Sequence, residues 1–382
     1  MQNVERSIKE NIKEQLQPNK VLLLLGPRRV GKTVLIKSIL DELHDEKVLK
    51  LNGEDMATEA LLKVRSIENY KRLLFGYTLL VIDEAQKINE IGAILKLMVD
   101  EVPGIKILVS GSSMFDLNNK LGEPLTGRKK TFMLYPLAQM EYIQIENLVQ
   151  TKSNLDQRLI YGSYPELLKL NRAIDKENYL NELVTDYLLK DILAIDGVRN
   201  ASKMMDLLKL IAFQIGKEVS YDELGKQLGM SKNTVERYLD LLSKVFVVFK
   251  VSGFSRNLRS EIVKSSKWYF YDLGIRNTLV SNYAPLDLRA DRGDLWENYC
   301  LVERLKYLSY SDTKAYYYFW RTYQQQEIDW IEDRGGQLFA FEIKWNENKK
   351  VKVPTAWKTA YPEASFDVIS PANYLDWILP PL

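Results

Sequence analysis

Short apolar runs and helix-like segments alternate along the first 140 residues. The apolar runs have strand length and lie at 21–25, 47–51, 78–82, 105–109 and 131–135. The segments with helical spacing lie at 32–43, 58–74 and 90–101. Strands that alternate with helices favour a parallel sheet covered by helices on both faces. This part of the chain is therefore predicted to be α/β.

The pattern becomes mainly helical between residues 140 and 215. Amphipathic spacing is found around 138–149, 176–195 and 202–215. The sequence Tyr-Gly-Ser-Tyr-Pro-Glu at 161–166 interrupts these segments as a turn. The turn could act as a lid or as a packing element, and we favour packing.

A helix-turn-helix pattern follows. Ser220 and Ser231 are in position to cap two short helices, and Gly229 is in position to end the first of them. Two strand-like stretches, 245–251 and 267–271, would then form a hairpin. Together these elements predict a winged helix.

The predicted winged helix has two interpretations. If it binds DNA, Lys232, Asn233 and Arg237 of its second helix would lie in a groove. The same helix carries Glu236 and Asp240, which repel phosphate. We therefore favour a lid or spacer domain that does not contact DNA. The residues that make the predicted wing basic are Arg256, Arg259 and Lys264.

The C-terminal pattern predicts a helix and several strands that gather charged residues. The helix covers 293–310 and carries Glu297, and the strands lie at 316–320, 327–331 and 338–343. Period-two spacing places Glu342 and Lys344 on one strand face, where Asp329 of the neighbouring strand can meet them.

Such a group suits metal-assisted phosphodiester cleavage. Carboxylates of Asp329, Glu342 and Glu297 would bind Mg²⁺, and Lys344 would activate water or stabilise charge. The alternative is a surface cluster of salt bridges, which the spacing alone favours.

Composition narrows the possible chemistry. Among 382 residues, Cys300 is the one cysteine and His44 the one histidine, which excludes intrachain disulfides, His-based zinc sites and Ser-His-Asp catalysis. Metal sites must therefore use oxygen ligands. A net charge of +2 gives no argument for nucleic acid. No apolar run reaches membrane-span length and the N-terminus is polar, so we expect a cytoplasmic protein without membrane contact.

The most specific motif joins the first strand to the first long helix. Residues Gly26 to Thr33 match the phosphate-binding pattern G-x-x-x-x-G-K-[ST]. Backbone N–H groups of such a loop and the helix N-terminus converge on phosphates. Lys32 would neutralise the terminal phosphates, and Thr33 would hold Mg²⁺. The residues predicted to contact the nucleotide are Gly26, Pro27, Arg28, Arg29, Val30, Gly31, Lys32, Thr33, Val34, Asp83 and Ser112.

A second feature supports the same nucleotide site. The apolar run at 78–82 ends in Asp83 and Glu84, at the sheet edge where α/β proteins bind ligands. Asp83 would hold the magnesium ion through water, and Glu84 would orient or deprotonate the attacking water. A solvated acidic pair is the alternative, which the adjacent phosphate loop disfavours.

Several further residues have open roles at this site. Ser112, in the small polar run 110–113, could contact the γ-phosphate or the attacking water. Arg128 is a candidate stabiliser of transition-state charge, in cis or in trans, or else a surface arginine. Arg28 and Arg29 could contact phosphate, although we expect at least one of them to face solvent.

Taken together, the chain resembles a prokaryotic AAA-type ATPase family. Its members join an N-terminal P-loop domain to a winged helix and a C-terminal domain similar to PD-(D/E)xK nucleases. The resembling segments are GPRRVGKT (26–33), LLVIDEAQK (79–87), LVSGSS (108–113), LTGRKKTFMLYPLAQMEY (125–142), YGSYPELL (161–168), LWENYCLVERL (295–305) and EIDWIEDRGGQLFAFEIKW (327–345).

The resemblance implies three domains and their ligands. They are a P-loop domain at 1–150, a helical and winged-helix domain at 151–285, and an α+β, restriction-endonuclease-like domain at 286–382. It implies ATP and Mg²⁺ as cofactors and supports the roles given above to Lys32, Asp83, Glu84 and Arg128. It also favours the nuclease-like interpretation of the C-terminal residues. Glu327-Ile328-Asp329 departs from the Pro-Asp pair that names the nuclease superfamily.

Three functions are compatible with this sequence. The leading hypothesis is an Mg²⁺-dependent ATPase whose nucleotide state moves the winged helix and the C-terminal domain. The second is a DNA nuclease gated by ATP. The third is a slow-turnover switch that binds DNA. An oligomer is possible, because an arginine that acts in trans requires one.

Overall fold

The computed structural model describes residues 4–112, 125–188, 200–254, 256 and 266–380. Within these residues the chain forms two compact units. The N-terminal unit comprises Glu5–Pro136 with Lys244–Phe246, and the C-terminal unit contains the described residues from Leu137 onward, apart from those three. None of the helices in the described parts is both long enough and apolar enough to cross a bilayer.

The N-terminal unit contains a parallel sheet of five strands, which confirms the predicted α/β class. The strands are β1 (Lys20–Leu25), β2 (Val48–Asn52), β3 (Leu79–Asp83), β4 (Lys106–Gly111) and β5 (Lys129–Met133), in the order β2-β3-β4-β1-β5. The helices are α1 (Lys9–Gln15), α2 (Lys32–Leu40), α3 (Met56–Lys63), α4 (Ile67–Leu73) and α5 (Ile91–Glu101).

The register of the sheet brings three strand ends to one edge. Leu25 at the end of β1 lies opposite Gly111 at the end of β4, and Ile82 of β3 lies opposite Val109. The interior strand β1 is buried from Val21 onward, as expected for a strand covered on both faces. The loop after β1 and the acidic end of β3 therefore share this edge, with β4 between them.

Two of the predicted boundaries were wrong. The single helix expected over 58–74 is two helices, α3 and α4, because the Ser66 hydroxyl accepts a hydrogen bond from Asn69 N–H and starts a new helix. The last strand begins at Lys129, two residues before the predicted start, and pairs with β1 from Val21.

The C-terminal unit begins with short helices. They are α6 (Gln139–Tyr142), α7 (Leu148–Ser153), α8 (Leu155–Tyr161), α9 (Ala173–Glu182), α10 (Ala201–Phe213), α11 (Tyr221–Leu228) and α12 (Lys232–Lys244). Ser220 caps α11, and Gly229, at φ +60°, ends it as predicted. Part of the predicted helix at 176–195, from residue 189 on, lies outside the described residues, as do Ser113, Arg259 and Lys264.

The turn at 161–166 is a packing element. The buried Asp272 caps the next helix, α13 (Leu273–Leu279), and accepts a 2.7 Å hydrogen bond from Ser163 N–H. Ser163 C=O in turn accepts a 2.8 Å bond from Leu137 N–H. These bonds hold the turn from both sides, in agreement with the favoured interpretation.

A second sheet runs through the C-terminal unit. Its strands are β6 (Val248–Gly253), β7 (Ser266–Phe270), β8 (Tyr316–Arg321), β9 (Glu327–Arg334), β10 (Gln337–Ile343) and β11 (Ser365–Ile369), in the order β11-β10-β9-β8-β6-β7. The remaining helices are α14 (Arg292–Tyr310), α15 (Thr355–Ala360) and α16 (Tyr374–Ile378).

The expected hairpin exists, and it belongs to this larger sheet. β6 and β7 pair antiparallel, and β6 pairs in parallel with β8 through Ser252 and Gly253. The hydrogen bonds therefore cross the position proposed for a domain boundary at 285–286. The three-domain division and the winged-helix assignment remain predictions.

Candidate functional site

The loop after β1 adopts a shape that depends on two glycines. A Cβ atom on Gly26 would lie 2.1 Å from the Leu134 carbonyl oxygen, so no larger residue fits there. Gly31 has φ +93°, in the left-handed region, and directly precedes α2. The non-glycine Arg29 is also left-handed, at φ +65°. The backbone thus turns sharply before the N-terminus of α2.

Lys32 and Thr33 are the first residues of α2 and contact the loop and the acidic strand end, respectively. The buried Lys32 Nζ donates hydrogen bonds to the carbonyl oxygens of Gly26 (2.9 Å) and Pro27 (3.0 Å), so its ammonium lies inside the loop. The exposed Thr33 Oγ1 donates a 2.7 Å hydrogen bond to Asp83 Oδ2. Two residues that are 50 positions apart in sequence therefore meet at the sheet edge.

The acidic end of β3 is held by the neighbouring strand. The fully buried Ser110 of β4 donates a hydrogen bond from its hydroxyl to Asp83 Oδ1. The same Ser110 oxygen accepts a 3.2 Å hydrogen bond from Glu84 N–H. Glu84 itself has φ +51°, so the chain turns sharply just after the strand. Ser110, which belongs to the small polar run at 110–113, therefore contacts both acidic residues.

Gln86 is a site residue that the sequence analysis did not single out. Its buried side chain donates from Nε2 to Glu84 Oε2 at 2.5 Å and to Ser112 Oγ at 3.1 Å. Ser112 thus lies beside the acidic strand end. Ser112 Oγ accepts a hydrogen bond from the Gln86 amide there, and its contact with phosphate or water stays a prediction. The sequence signal that could have identified Gln86 is that it is a polar residue two positions after Glu84.

Arg6 is a second residue that the sequence gave no reason to select. Its buried guanidinium donates to the carbonyl oxygens of Val30 in the loop (2.7 Å) and Tyr135 after β5 (2.6 Å). It therefore ties the phosphate loop to the end of an adjacent strand. The other predicted loop residues differ in exposure: Pro27 is buried, Arg28 is half-buried, and Arg29 and Val34 are exposed.

Arg128 lies at the opposite end of the strands from the phosphate loop. Its carbonyl oxygen accepts a hydrogen bond from Val21 N–H at the start of β1, whereas the loop follows Leu25 at the end of that strand. Five residues of strand at about 3.3 Å each separate the two positions. Arg128 instead forms a 2.7 Å ion pair with Asp100. β5 runs parallel to β1, so Arg128, which precedes β5, lies at the end of the strands away from the phosphates. This register excludes a role in cis for Arg128 as stabiliser of transition-state charge. A role in trans stays a prediction.

The predicted C-terminal residues do come together. Lys344 Nζ lies 3.2 Å from Asp329 Oδ2 and 2.6 Å from Glu342 Oε1. Asp329 Oδ2 also accepts a 2.8 Å hydrogen bond from Ile343 N–H, which fixes it against β10. Glu342 Oε2 is buried and has no hydrogen-bond partner among the described residues.

The helix α14 adds Glu297 to a neighbouring part of the same cluster. Glu297 Oε1 accepts a 2.6 Å hydrogen bond from the Tyr269 hydroxyl and lies 3.7 Å from Lys267 Nζ. The buried Lys267 also pairs with Glu327. Lys267 and Tyr269 had been assigned only to a hairpin strand, so the sequence missed their place in this cluster.

Burial and mutual repulsion shape the ionisation of these groups. Burial, with a contribution from Asp329, raises the pKa of Glu297 to about 7. The same causes raise the pKa of Glu342. Burial alone would lower the pKa values of Lys267 and Lys344, but the surrounding carboxylates outweigh it and raise both. The cluster is a network of carboxylates matched by two ammonium groups.

The two regions fit a magnesium ion to different degrees. At the phosphate loop, a hydroxyl and a carboxylate oxygen converge, and both are the hard donors that Mg²⁺ prefers. At the C-terminal cluster, the lysines lie against the carboxylates predicted as ligands. Across the parts of the chain that the structure describes, no group of three or more His, Cys, Asp or Glu is arranged to hold a metal.

Family models match three successive parts of the chain. The model of an AAA domain matches residues 18–143, which include the loop and the whole parallel sheet. Residues 18–143 are therefore similar to an AAA-type P-loop domain. Residues 152–288 and 292–373 match two domains of unknown function, DUF8612 and DUF4143.

Similar proteins occur in bacteria and archaea. The uncharacterized protein Rv2008c of Mycobacterium tuberculosis is 26% identical, and the match covers 89% of this chain and 73% of that protein. The uncharacterized protein MJ1544 of Methanocaldococcus jannaschii is 23% identical, with coverage of 95% and 83%. An uncharacterized protein of Haemophilus influenzae is 23% identical, with coverage of 97% and 98%.

A solved structure also aligns with part of the chain. It is the crystal structure of Pif1 helicase from Candida albicans, with a TM-score of 0.28 and 15% sequence identity. The alignment covers 48% of this chain and 47% of the helicase chain, less than half of either.

Proposed function

We propose that this protein is an Mg²⁺-dependent ATPase that turns over ATP at the edge of its parallel sheet. The observation that carries the proposal is the 2.7 Å hydrogen bond between Thr33 Oγ1 and Asp83 Oδ2. It joins the phosphate loop to the acidic strand end, the two halves that phosphoryl transfer requires. The AAA domain match over the same residues supports it.

Each side chain has a defined task in this proposal. Thr33 and Asp83 would hold the magnesium ion, which neutralises charge on the phosphates when bound. Lys32 exchanges its two carbonyl partners for phosphate oxygens and keeps a charge-assisted hydrogen bond. Glu84 accepts the proton of the attacking water, and the backbone N–H groups of the loop bind the phosphates.

ATP binding and turnover by purified protein test the proposal. We expect K32A to lose both, because the buried cation is removed. E84Q should still bind ATP but turn over about 100-fold more slowly, because the amide cannot accept the proton. K37A, which alters an exposed lysine of the same helix, is the matched control and should resemble wild type. Wild-type protein that neither binds nor hydrolyses ATP would refute the proposal.

A second candidate function is DNA cleavage gated by ATP. It is favoured by the contacts of Lys344 with both Asp329 and Glu342 and by the buried, unpartnered oxygen of Glu342. That oxygen is a donor suited to a divalent cation. We place this function second, because lysines already lie against the predicted ligands. Lys344 contacts Asp329 and Glu342, and Lys267 lies 3.7 Å from Glu297.

Plasmid nicking with Mg²⁺ or Mn²⁺ decides whether the cluster cleaves DNA. The expected result is nicking by wild type that disappears in the D329A/K344A double variant. Nicking that survives the double variant would come from a contaminant. E347Q, which changes an exposed carboxylate near the same strand, serves as the control.

The partners follow from these two functions. The nucleotide is ATP, and DNA is a partner only under the second function. An oligomer is required if Arg128 acts on a neighbouring copy. A reducing cytoplasm suits the one cysteine, Cys300, which is buried and unpaired.

A further inference from the structure

The side chain of Gln86 contacts the carboxylate of Glu84. Its side chain is 5% exposed, and its amide nitrogen lies 2.5 Å from Glu84 Oε2. We propose that Gln86 is a positioning residue for Glu84 and links that carboxylate to the end of β4 through Ser112. The inference rests on the proposed ATPase function, because it assigns a partner to the group that activates water.

The chemistry of an amide suits this task. The NH₂ group has two protons, so it can serve Glu84 Oε2 and Ser112 Oγ at the same time. A carboxylate held at one oxygen loses rotational freedom and keeps its other oxygen available to a water molecule. A shorter or apolar side chain at position 86 would leave Glu84 free to rotate away, and misplacement of a reacting group is costly.

The backbone brings the two residues together. Glu84 has φ +51°, and the residues after it, Ala85–Lys87, form one turn of 3₁₀ helix. Residues two apart on a continuing strand would point the same way but stay about 6–7 Å apart. The turn instead folds Gln86 back against the carboxylate of Glu84.

Ser110 of β4 and Ser112, which directly follows β4, are thereby connected to the two acidic residues of the site. Ser110 donates directly to Asp83, and Ser112 reaches Glu84 through Gln86. A shift of the end of β4 would move Asp83, the proposed metal ligand, together with Glu84, the water-activating group. Gln86 is the member of this chain of contacts whose removal affects Glu84 and leaves the Asp83 contacts in place.

The test compares turnover, binding and pH dependence in full-length variants. Q86A should lower kcat by about 10- to 100-fold, since Glu84 loses its anchor, with the Kd for ATP unchanged because Lys32 and the loop are intact. Q86E brings two carboxylates together, which then share a proton. It should therefore move the acid limb of the kcat–pH profile to higher pH. N89A is the matched control. The Asn89 side-chain amide also donates a hydrogen bond to a glutamate, Glu59, at 2.9 Å, but this contact lies outside the site.

The outcomes separate this inference from the ATPase proposal. If wild type hydrolyses ATP in a Glu84-dependent way while Q86A keeps the wild-type kcat and pH profile, the positioning role is overturned and the ATPase stands. If Q86A loses kcat, ATP affinity and thermal stability in parallel, the role is merely structural and the inference fails. A wild type without turnover overturns both.

Discussion

Single residues brace the phosphate loop from outside the motif. The loop pattern specifies glycines, a lysine and a threonine, but the shape of the loop also depends on the Arg6 guanidinium bonded to Val30 and Tyr135. Arg6 and Tyr135 are 129 positions apart, so only the folded sheet brings them together. The sequence predicted that Thr33 and Asp83 belong to one nucleotide site, because each lies in a motif typical of such sites. It could not predict Arg6, because nothing local marks its partner.

Removal of Arg6 should weaken both stability and nucleotide binding. R6A leaves two carbonyl oxygens without a charged donor, and we expect the free energy of unfolding to fall by about 2–4 kcal/mol. ATP affinity should fall as well, because the loop loses its brace. Urea denaturation and nucleotide titration measure the two effects.

Arg65 offers the matched control for Arg6. It forms an exposed ion pair with Glu90, so R65A should change the free energy of unfolding by less than about 1 kcal/mol. Equal effects of R6A and R65A would show that the contacts of Arg6 with the loop contribute little.

Glu297 gives stability a defined pH dependence. Its pKa in the fold is about 7, above its ordinary 4.5, so between these values the folded protein holds a proton that the unfolded chain releases. Its contribution is therefore fully present below pH 4.5 and is lost as the pH rises to 7. Asp272, with a pKa raised by burial to about 6, acts in the same direction at lower pH.

Between pH 6 and 7 this loss should come mainly from Glu297. We expect the free energy of unfolding of wild type to fall over this range and that of E297Q to fall less steeply. Denaturant titrations at closely spaced pH values measure the slopes. E347Q should keep the wild-type slope, and an unchanged slope in E297Q would contradict the assignment.

At the scale of elements, regular strands were easier to predict than helix boundaries. The apolar runs at 21–25, 78–82 and 105–109 correspond to β1, β3 and β4 within a residue or two, because buried parallel strands are continuously apolar. The helix predicted over 58–74 was wrong in the middle, where Ser66 caps a new start. Hydrophobic spacing continued through that break, so the pattern could not reveal it.

The N-cap of α13, Asp272, also joins this helix to the turn at 161–166. Asp272 accepts hydrogen bonds from Gly274 N–H, Ile275 N–H and Ser163 N–H, and all of these groups are buried. D272A should lower the free energy of unfolding by about 2–3 kcal/mol, because a buried N–H is orphaned and the cap is lost. The exposed cap Asp55 of α3 is the control, where D55A should cost about 1 kcal/mol. A smaller loss in D272A than in D55A would contradict this role.

At the scale of the whole molecule, the second sheet sets which parts of the chain can fold separately. β6 pairs with β8, and Phe254 N–H donates to Phe319 C=O at 2.6 Å. The Phe254 ring packs against Trp357 and Tyr361. The sequence predicted each strand but not this pairing, because parallel partners 66 residues apart in sequence leave no local signal.

A fragment that starts at residue 286 should therefore fold poorly. It would keep β8 to β11 but expose the edge of β8 and the apolar pocket that Phe254 fills, and exposed strand edges promote aggregation. A fragment of residues 137–382 keeps all six strands and should stay monomeric. Size-exclusion chromatography and thermal unfolding compare them, and a monomeric 286–382 fragment with cooperative unfolding would contradict this expectation.

The shared sheet also limits how such proteins can diversify. An exchange of the C-terminal part between relatives would have to supply a β8 that accepts the backbone of Ser252 and Gly253 and a cavity for Phe254. In most such recombinants, β6 and Phe254 would not fit the new β8 and its neighbouring cavity. Residues from β6 to the C-terminus should consequently be inherited as one piece, whereas substitutions on the solvent side of its strands can accumulate independently.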